Sequence, residues 1–247
     1  MIKAKLSTGA LALALLLAGC GEGGDANLAG NVTAPPQLTQ IPAPNNGDWT
    51  QTVSQTAEGG WVMGNPDAPV KLIEYGSLTC PACRAFSETA TAALRDTYIR
   101  SGQVSWEFRH LVIHGAPDVA LAMLSDCQGT GGFFPTIEQI YSQQPEILDR
   151  YQSGAQAVAA LPPEQQLAPL ARAMELDTFF ARRGMPEARF NQCLGNMGAA
   201  QQLADNLNRA TSQEGVNSTP TFIINGQRQE ASSWQQLEPL LRSAIGG

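Results

Sequence analysis

Ile73-Glu74-Tyr75-Gly76-Ser77-Leu78-Thr79-Cys80-Pro81-Ala82-Cys83 is the stretch from which the fold can be read. Ahead of it, the turn signal Gly64-Asn65-Pro66-Asp67-Ala68-Pro69 leads into Val70-Lys71-Leu72-Ile73-Glu74-Tyr75, a β-rich apolar run that predicts a strand. Behind it, Phe86, Ala90, Ala93-Leu94 and Thr97-Tyr98 recur at three- and four-residue spacing. That predicts a helix, stopped at Ser101-Gly102. Cys80 therefore stands just ahead of a helix, with Pro81 in a first-turn position that tolerates proline.

This placement has a chemical consequence. A helix N-terminus presents unsatisfied N–H groups and positive partial charge, which stabilise a thiolate and lower the pKa of Cys80. The thiolate is the nucleophile of disulfide exchange and also its better leaving group. Cys83, one turn further in, is expected to be the more buried, resolving thiol. Two other readings of a C-x-x-C are half of a zinc site and a static disulfide. Zinc would need two more ligands at close spacing, and there is no second C-x-x-C. Glu74, an acid inside an apolar strand, is read as a partly buried carboxyl beneath the cysteines that relays the proton of Cys83, with its pKa raised by desolvation. The alternative is an edge-strand Glu facing water.

Asn217-Ser218-Thr219-Pro220-Thr221-Phe222-Ile223-Ile224-Asn225-Gly226 closes the pattern. Thr221 to Ile224 read as a strand and Asn225-Gly226 as a hairpin turn. A proline at a strand start can carry a cis bond, although a trans bond there is commoner.

Together the Cys80 motif, the Gly64–Val70 lead-in and Thr219-Pro220-Thr221-Phe222 resemble the DsbA-like branch of the thioredoxin superfamily, over about Trp61 to Trp234. The resemblance implies a thioredoxin-like α/β fold with an inserted all-helical subdomain, placed at about residues 115–213. It implies Cys80 as the attacking thiol, Cys83 as the resolving one and Glu74 as the buried acid. Thr219 and Pro220 would form a cis-proline loop against Cys80 that, with Pro81 and Ala82, meets an extended substrate. Oxidising members often carry His where Ala82 stands. Ala82 removes a positive partner for the thiolate and leaves oxidase, reductase and isomerase all open.

In the insert, Asp118 is a helix start signal, and further helices are expected at about 136–144, 163–175 and 186–213, broken at Pro135, Pro162-Pro163, Gly184 and Pro186. Val104-Ser105-Trp106-Glu107-Phe108 alternates as a strand does. Cys127 and Cys193 are expected to form a structural disulfide; two free thiols and a second redox pair are the alternatives. His110 and His114 are read as surface or packing residues rather than a metal site. Arg182-Arg183 is read as a solvated helix end, and Phe133-Phe134 and Phe179-Phe180 as core.

The chain has 247 residues with 15 Lys+Arg against 22 Asp+Glu, a formal charge of −7. That balance argues against nucleic acid as the main partner, because such affinity comes from cations neutralising phosphates. At 43% hydrophobic and 15% charged residues the chain is globular rather than disordered. Residues 1–19 read as a lipoprotein signal peptide: Lys3 and Lys5, an apolar run from Leu6 to Ala18, then Leu17-Ala18-Gly19-Cys20, which resembles a bacterial lipobox. Cys20 would be lipidated, residues 20–47 a tether with a reach of roughly 25–30 Å, and residues 48–247 the folded domain. The expected protein is a thiol–disulfide oxidoreductase of the bacterial cell envelope, facing the periplasm and anchored through Cys20. It would act on extracytoplasmic proteins with cysteines and use no cofactor beyond the Cys80–Cys83 pair. A membrane redox partner would recycle that pair. The rivals are a metallochaperone using the same thiolates and a binding module with purely structural disulfides.

Overall fold

The structure is a computed structural model and describes residues 38–246. The leader, Cys20 and most of the expected tether lie outside the described residues. Of the described residues assigned to that tether, Ile41 donates its N–H to the Ser101 carbonyl (2.8 Å), and Thr39 accepts at its carbonyl from Gln103 (2.8 Å). Contacts with the folded body thus begin before Asp48.

Six strands form one sheet in the order β1-β2-β4-β3-β5-β6. These are β1 Val53–Gln55, β2 Trp61–Gly64, β3 Val70–Gly76, β4 Val104–His110, β5 Thr221–Ile224 and β6 Gln227–Gln229. β3 and β4 pair in parallel and every other pair is antiparallel. β3 lies inside the sheet, with Glu74 opposite Phe108 of β4 on one side and Phe222 of β5 on the other. β4 buries Val104, Trp106 and Phe108 as expected, and Ser105 between them as well. Asn225 and Gly226 both adopt positive φ, 49° and 80°, as the tight hairpin between β5 and β6 requires.

α1, Pro81–Ala93, starts at the cysteine pair and runs on through a π-helical turn, Leu94–Ile99. Together they bury Cys83, Phe86, Ala90, Leu94 and Tyr98. Phe86 meets Phe222 at a ring-centroid distance of 4.5 Å, which joins α1 to β5 across the core. Seven helices lie between β4 and β5: α2 Ala116–Asp126, α3 Gly129–Ser142, α4 Gln144–Val158, α5 Pro163–Ala173, α6 Leu176–Ala181, α7 Glu187–Leu194 and α8 Met197–Ser212. α2 is their hub, touching α3, α5, α7 and α8. α9, Trp234–Gly246, packs on α1 and β3.

The insert departs from the expected helices in four places, one of them α6, which falls between the expected 163–175 and 186–213. Pro135 does not break a helix but stands inside α3. It forfeits one backbone hydrogen bond there, and burial of Phe133, Phe134, Ile137, Ile140 and Tyr141 on the same helix outweighs that cost. α4 is not among the expected helices, because only Gln144, Ile147 and Val158 are buried along its 15 residues and no apolar period shows. The stretch 186–213 is two helices, divided at Asn196, whose side chain accepts the Ala199 N–H and caps α8. Phe133, Phe134, Phe179 and Phe180 are all buried, as core residues should be. Arg183 is less free than a solvated helix end: its guanidinium lies 3.4 Å from the Phe179 ring centroid. Cys127, at the end of α2, is bonded to Cys193 of α7.

Candidate active site

The loop Ser77–Cys80 carries the chain from the end of β3 into α1. Cys80 has extended backbone angles and caps α1, its carbonyl accepting the Arg84 N–H at 3.1 Å. Its sulfur therefore sits at the N-terminus of a helix whose Ala82 and Cys83 N–H groups have no partner within the helix. On the other side, the Cys80 thiol donates to the Thr219 carbonyl at 3.3 Å. The Thr219–Pro220 peptide bond is cis. The two sequence blocks, 139 residues apart, thus meet at one sulfur. Pro81 and Ala82 are exposed beside it. Cys80 retains 7% of its surface and Cys83 none. Both are buried residues, and Cys80 is the one that keeps some surface for a partner.

The electrostatics of the two thiols are opposed. Cys80 is held down to about 5, chiefly by a hydrogen bond from the Cys83 thiol. The Thr219 hydroxyl and the Cys83 and Ala82 N–H groups act in the same direction, while partial burial works against them. The Thr219 hydroxyl is buried without a hydrogen-bond partner at bonding distance among the described residues, which leaves it free to turn toward that sulfur. Cys83 is pushed well above the ordinary thiol range, first by burial, then by its hydrogen bond to Cys80 and by the charges of Cys80 and Glu74.

Glu74 is 1% exposed, which removes the reading of a carboxylate facing water. Burial raises its pKa to about 8, and the hydrogen bond that Trp106 Nε1 donates to Oε2 at 3.1 Å offsets only part of that. At neutral pH it is a protonated acid close enough for its charge, once formed, to act on Cys83.

A group of buried side chains beneath the cysteine loop has no role in the sequence reading. Asp118 accepts from Ser77 Oγ (2.9 Å), Thr79 Oγ1 (2.8 Å), the Thr79 N–H (3.1 Å) and the His114 N–H (3.1 Å). The Tyr141 hydroxyl donates to the Ser77 carbonyl at 3.2 Å. Gln144 Nε2 donates to the carbonyls of Leu78 (2.9 Å) and Cys80 (3.1 Å). The one advance signal is Asp118 itself, which the sequence marks only as a helix start. His114 Nδ1 belongs to this network, within 2.9 Å of Thr79 Oγ1. His110 belongs to another: it is buried between Phe108 and Phe133, with Nε2 3.2 Å from Asp126. The two imidazoles therefore do not converge.

The Thioredoxin family profile matches residues 56–243. Among solved structures, the chain is similar to a protein-disulfide isomerase from Novosphingobium aromaticivorans, with TM-score 0.70 and 25% identity, covering 75% of this chain and 97% of that one. Wolbachia pipientis alpha-DsbA1 shares the fold at TM-score 0.61 and 20% identity, covering 83% and 94%. A Rickettsia bellii protein provisionally named protein-disulfide oxidoreductase is 23% identical over 191 residues, covering 76% of this chain. The chain spans 65% of that relative's length. With a sheet and cysteine helix of this topology and a profile match over most of its length, the chain belongs to the Thioredoxin family.

Proposed function

We propose that this protein carries out thiol–disulfide exchange on extracytoplasmic proteins through Cys80 and Cys83, in the direction of disulfide formation. The observation that carries the reading is the opposition of the two thiols: one acidic and reachable, the other buried and strongly basic. A thiol held near 5 is a thiolate at neutral pH, which stabilises the reduced form and makes the Cys80–Cys83 disulfide an oxidant.

A substrate thiolate attacks Cys80 Sγ of the Cys80–Cys83 disulfide, forming a mixed disulfide, and the electron pair of the broken S–S bond leaves on Cys83. Cys83 takes up a proton, for which Glu74 is the buried donor. A second substrate thiolate then attacks the substrate sulfur and expels Cys80 as a thiolate. Two substrate thiols have lost two electrons and the enzyme pair has gained them. A membrane redox partner would accept those electrons, and no small-molecule cofactor is required. Thr219 and Pro220, with exposed Pro81 and Ala82, flank the reacting sulfur where an extended substrate would lie. The names of the similar proteins, a protein-disulfide isomerase among them, support this chemistry. The export signal and lipobox-like Cys20 support a location outside the cytosol with a lipid anchor.

Oxidative refolding of a reduced secreted protein tests the proposal. The wild type should accelerate disulfide formation and Cys80→Ser should not; equal acceleration by both would sink it. Ala82 keeps a reductase as the second reading, and the potential of the couple separates the two. A value between about −120 and −180 mV fits an oxidant or isomerase, and one near about −270 mV a reductase. Stoichiometric metal on protein purified under reducing conditions would favour a metallochaperone instead.

A further inference from the structure

Each of the four residues from Ser77 to Cys80 has a polar group held by the helical insert. Asp118 of α2 takes both hydroxyls and one N–H of Ser77 and Thr79. Tyr141 of α3 holds the Ser77 carbonyl, and Gln144 at the start of α4 holds those of Leu78 and Cys80. All three side chains belong to residues only 2% exposed. Burying a carboxylate, a phenol and an amide costs free energy that apolar residues would avoid, unless every group is hydrogen bonded. Here their donors and acceptors converge on one loop, while the bonds to the Cys80 sulfur come from elsewhere.

That loop decides where the Cys80 sulfur points. The Cys80 carbonyl accepts the first hydrogen bond of α1, from the Arg84 N–H, and at the same time accepts from Gln144. Turning the loop would swing the sulfur away from the Ala82 and Cys83 N–H groups, since such charge–dipole contacts fade within the first turn.

We propose that Asp118, Tyr141 and Gln144 are positioning residues for Cys80: the helical insert grips the loop 77–80 from three helices and so sets the reactivity of a thiol to which it makes no hydrogen bond. The proposal rests on the reading of Cys80 as the attacking thiol. It makes the insert a determinant of the chemistry and not only a scaffold.

The test uses the full chain and its Tyr141→Phe and Gln144→Leu variants, with Leu170→Ala as a control. Leu170 is buried in the insert, on α5, and has no polar side-chain group with which to hold the loop. Thiolate absorbance is titrated and Cys80 alkylation is timed at pH 5; thermal melting reports the fold. Loss of one hydrogen bond of about 0.5–1.5 kcal/mol corresponds to roughly a two- to twelvefold change. Tyr141→Phe should raise the Cys80 titration midpoint within that range, Gln144→Leu, which removes two hydrogen bonds, at least as far, and both should slow alkylation at pH 5. Leu170→Ala should melt earlier yet titrate like the wild type. If Gln144→Leu does not fold, Tyr141→Phe, which removes a single oxygen, decides alone. The inference is overturned if the folded variants titrate with the wild type, or if Leu170→Ala shifts the midpoint as far. A wild-type thiol with an ordinary midpoint would instead overturn the function proposed above, and the inference with it.

Discussion

Ala82 offers no charge to the neighbouring sulfur, yet Cys80 is held near 5 by hydrogen bonds alone, from the Cys83 thiol, Thr219 and the first turn of α1. The missing cation is thus replaced by convergent neutral donors. Thr219→Val removes one donor and keeps the shape, so the Cys80 midpoint should rise by about one unit, the equivalent of one hydrogen bond to a charge. Thiolate absorbance against pH measures it. Glu74 makes a prediction about stability. Its folded pKa, about 8, lies above its ordinary 4.5, so between those values the folded state holds the proton more tightly than the unfolded one. Stability from this group is full below 4.5 and declines as pH rises through 8. At pH 7 the penalty is about 3 kcal/mol at roughly 1.4 kcal/mol per unit. Glu74→Gln should therefore melt above the wild type near pH 8 and together with it near pH 4.5, while slowing formation of the mixed disulfide, the step in which Cys83 takes up its proton. These residues are legible in the sequence because their signals are local: a C-x-x-C before a helical period, an acid in an apolar run, a proline at a strand start.

Elements with a clear apolar period are equally legible, and those without one are not. β3, β4, β5 and α1 announce themselves by β-rich runs or by three- and four-residue spacing. β1 and β2, Val53–Gln55 and Trp61–Gly64, have only three and four residues, and they escape because they lack the proline start and Asn-Gly turn that mark the equally short β5. The turn at Gly59-Gly60 between them adds no flanking pattern. α4 is polar along most of its length, and Pro135 misleads because its backbone cost is small beside the aromatic burial around it. Two predictions belong to this scale. Asn196→Ala removes the α8 cap and should lower stability by about 1 kcal/mol in urea unfolding. Replacing Cys127 and Cys193 together by Ser opens a bridge of sequence separation 66 and should cost up to about 4 kcal/mol. The double variant should leave Cys80 alkylation unchanged, as a structural bridge requires and a second redox pair would not.

At the scale of the molecule, the site is assembled from distant pieces. Thr219 is 139 residues from Cys80, Asp118 is 41 from Ser77 and Gln144 is 66 from Leu78. Thr219-Pro220 can be found in the sequence because its motif is distinctive. Asp118, Tyr141 and Gln144 cannot, since a buried polar residue on a helix looks like any solvated one until its partners are known. The family match over residues 56–243 takes in β2 to β6 and the insert, so the gripping helices belong to the same folded unit as the cysteines. One acidic sulfur is the centre of the proposed chemistry. Alkylation of Cys80 in the reduced protein, timed from acid to alkaline pH by mass spectrometry, tests it most directly. The rate should climb through a midpoint near 5 and stay flat through neutrality, with Cys83 unmodified. A midpoint at the ordinary thiol value of about 8.5, or Cys83 reacting as fast as Cys80, would contradict it.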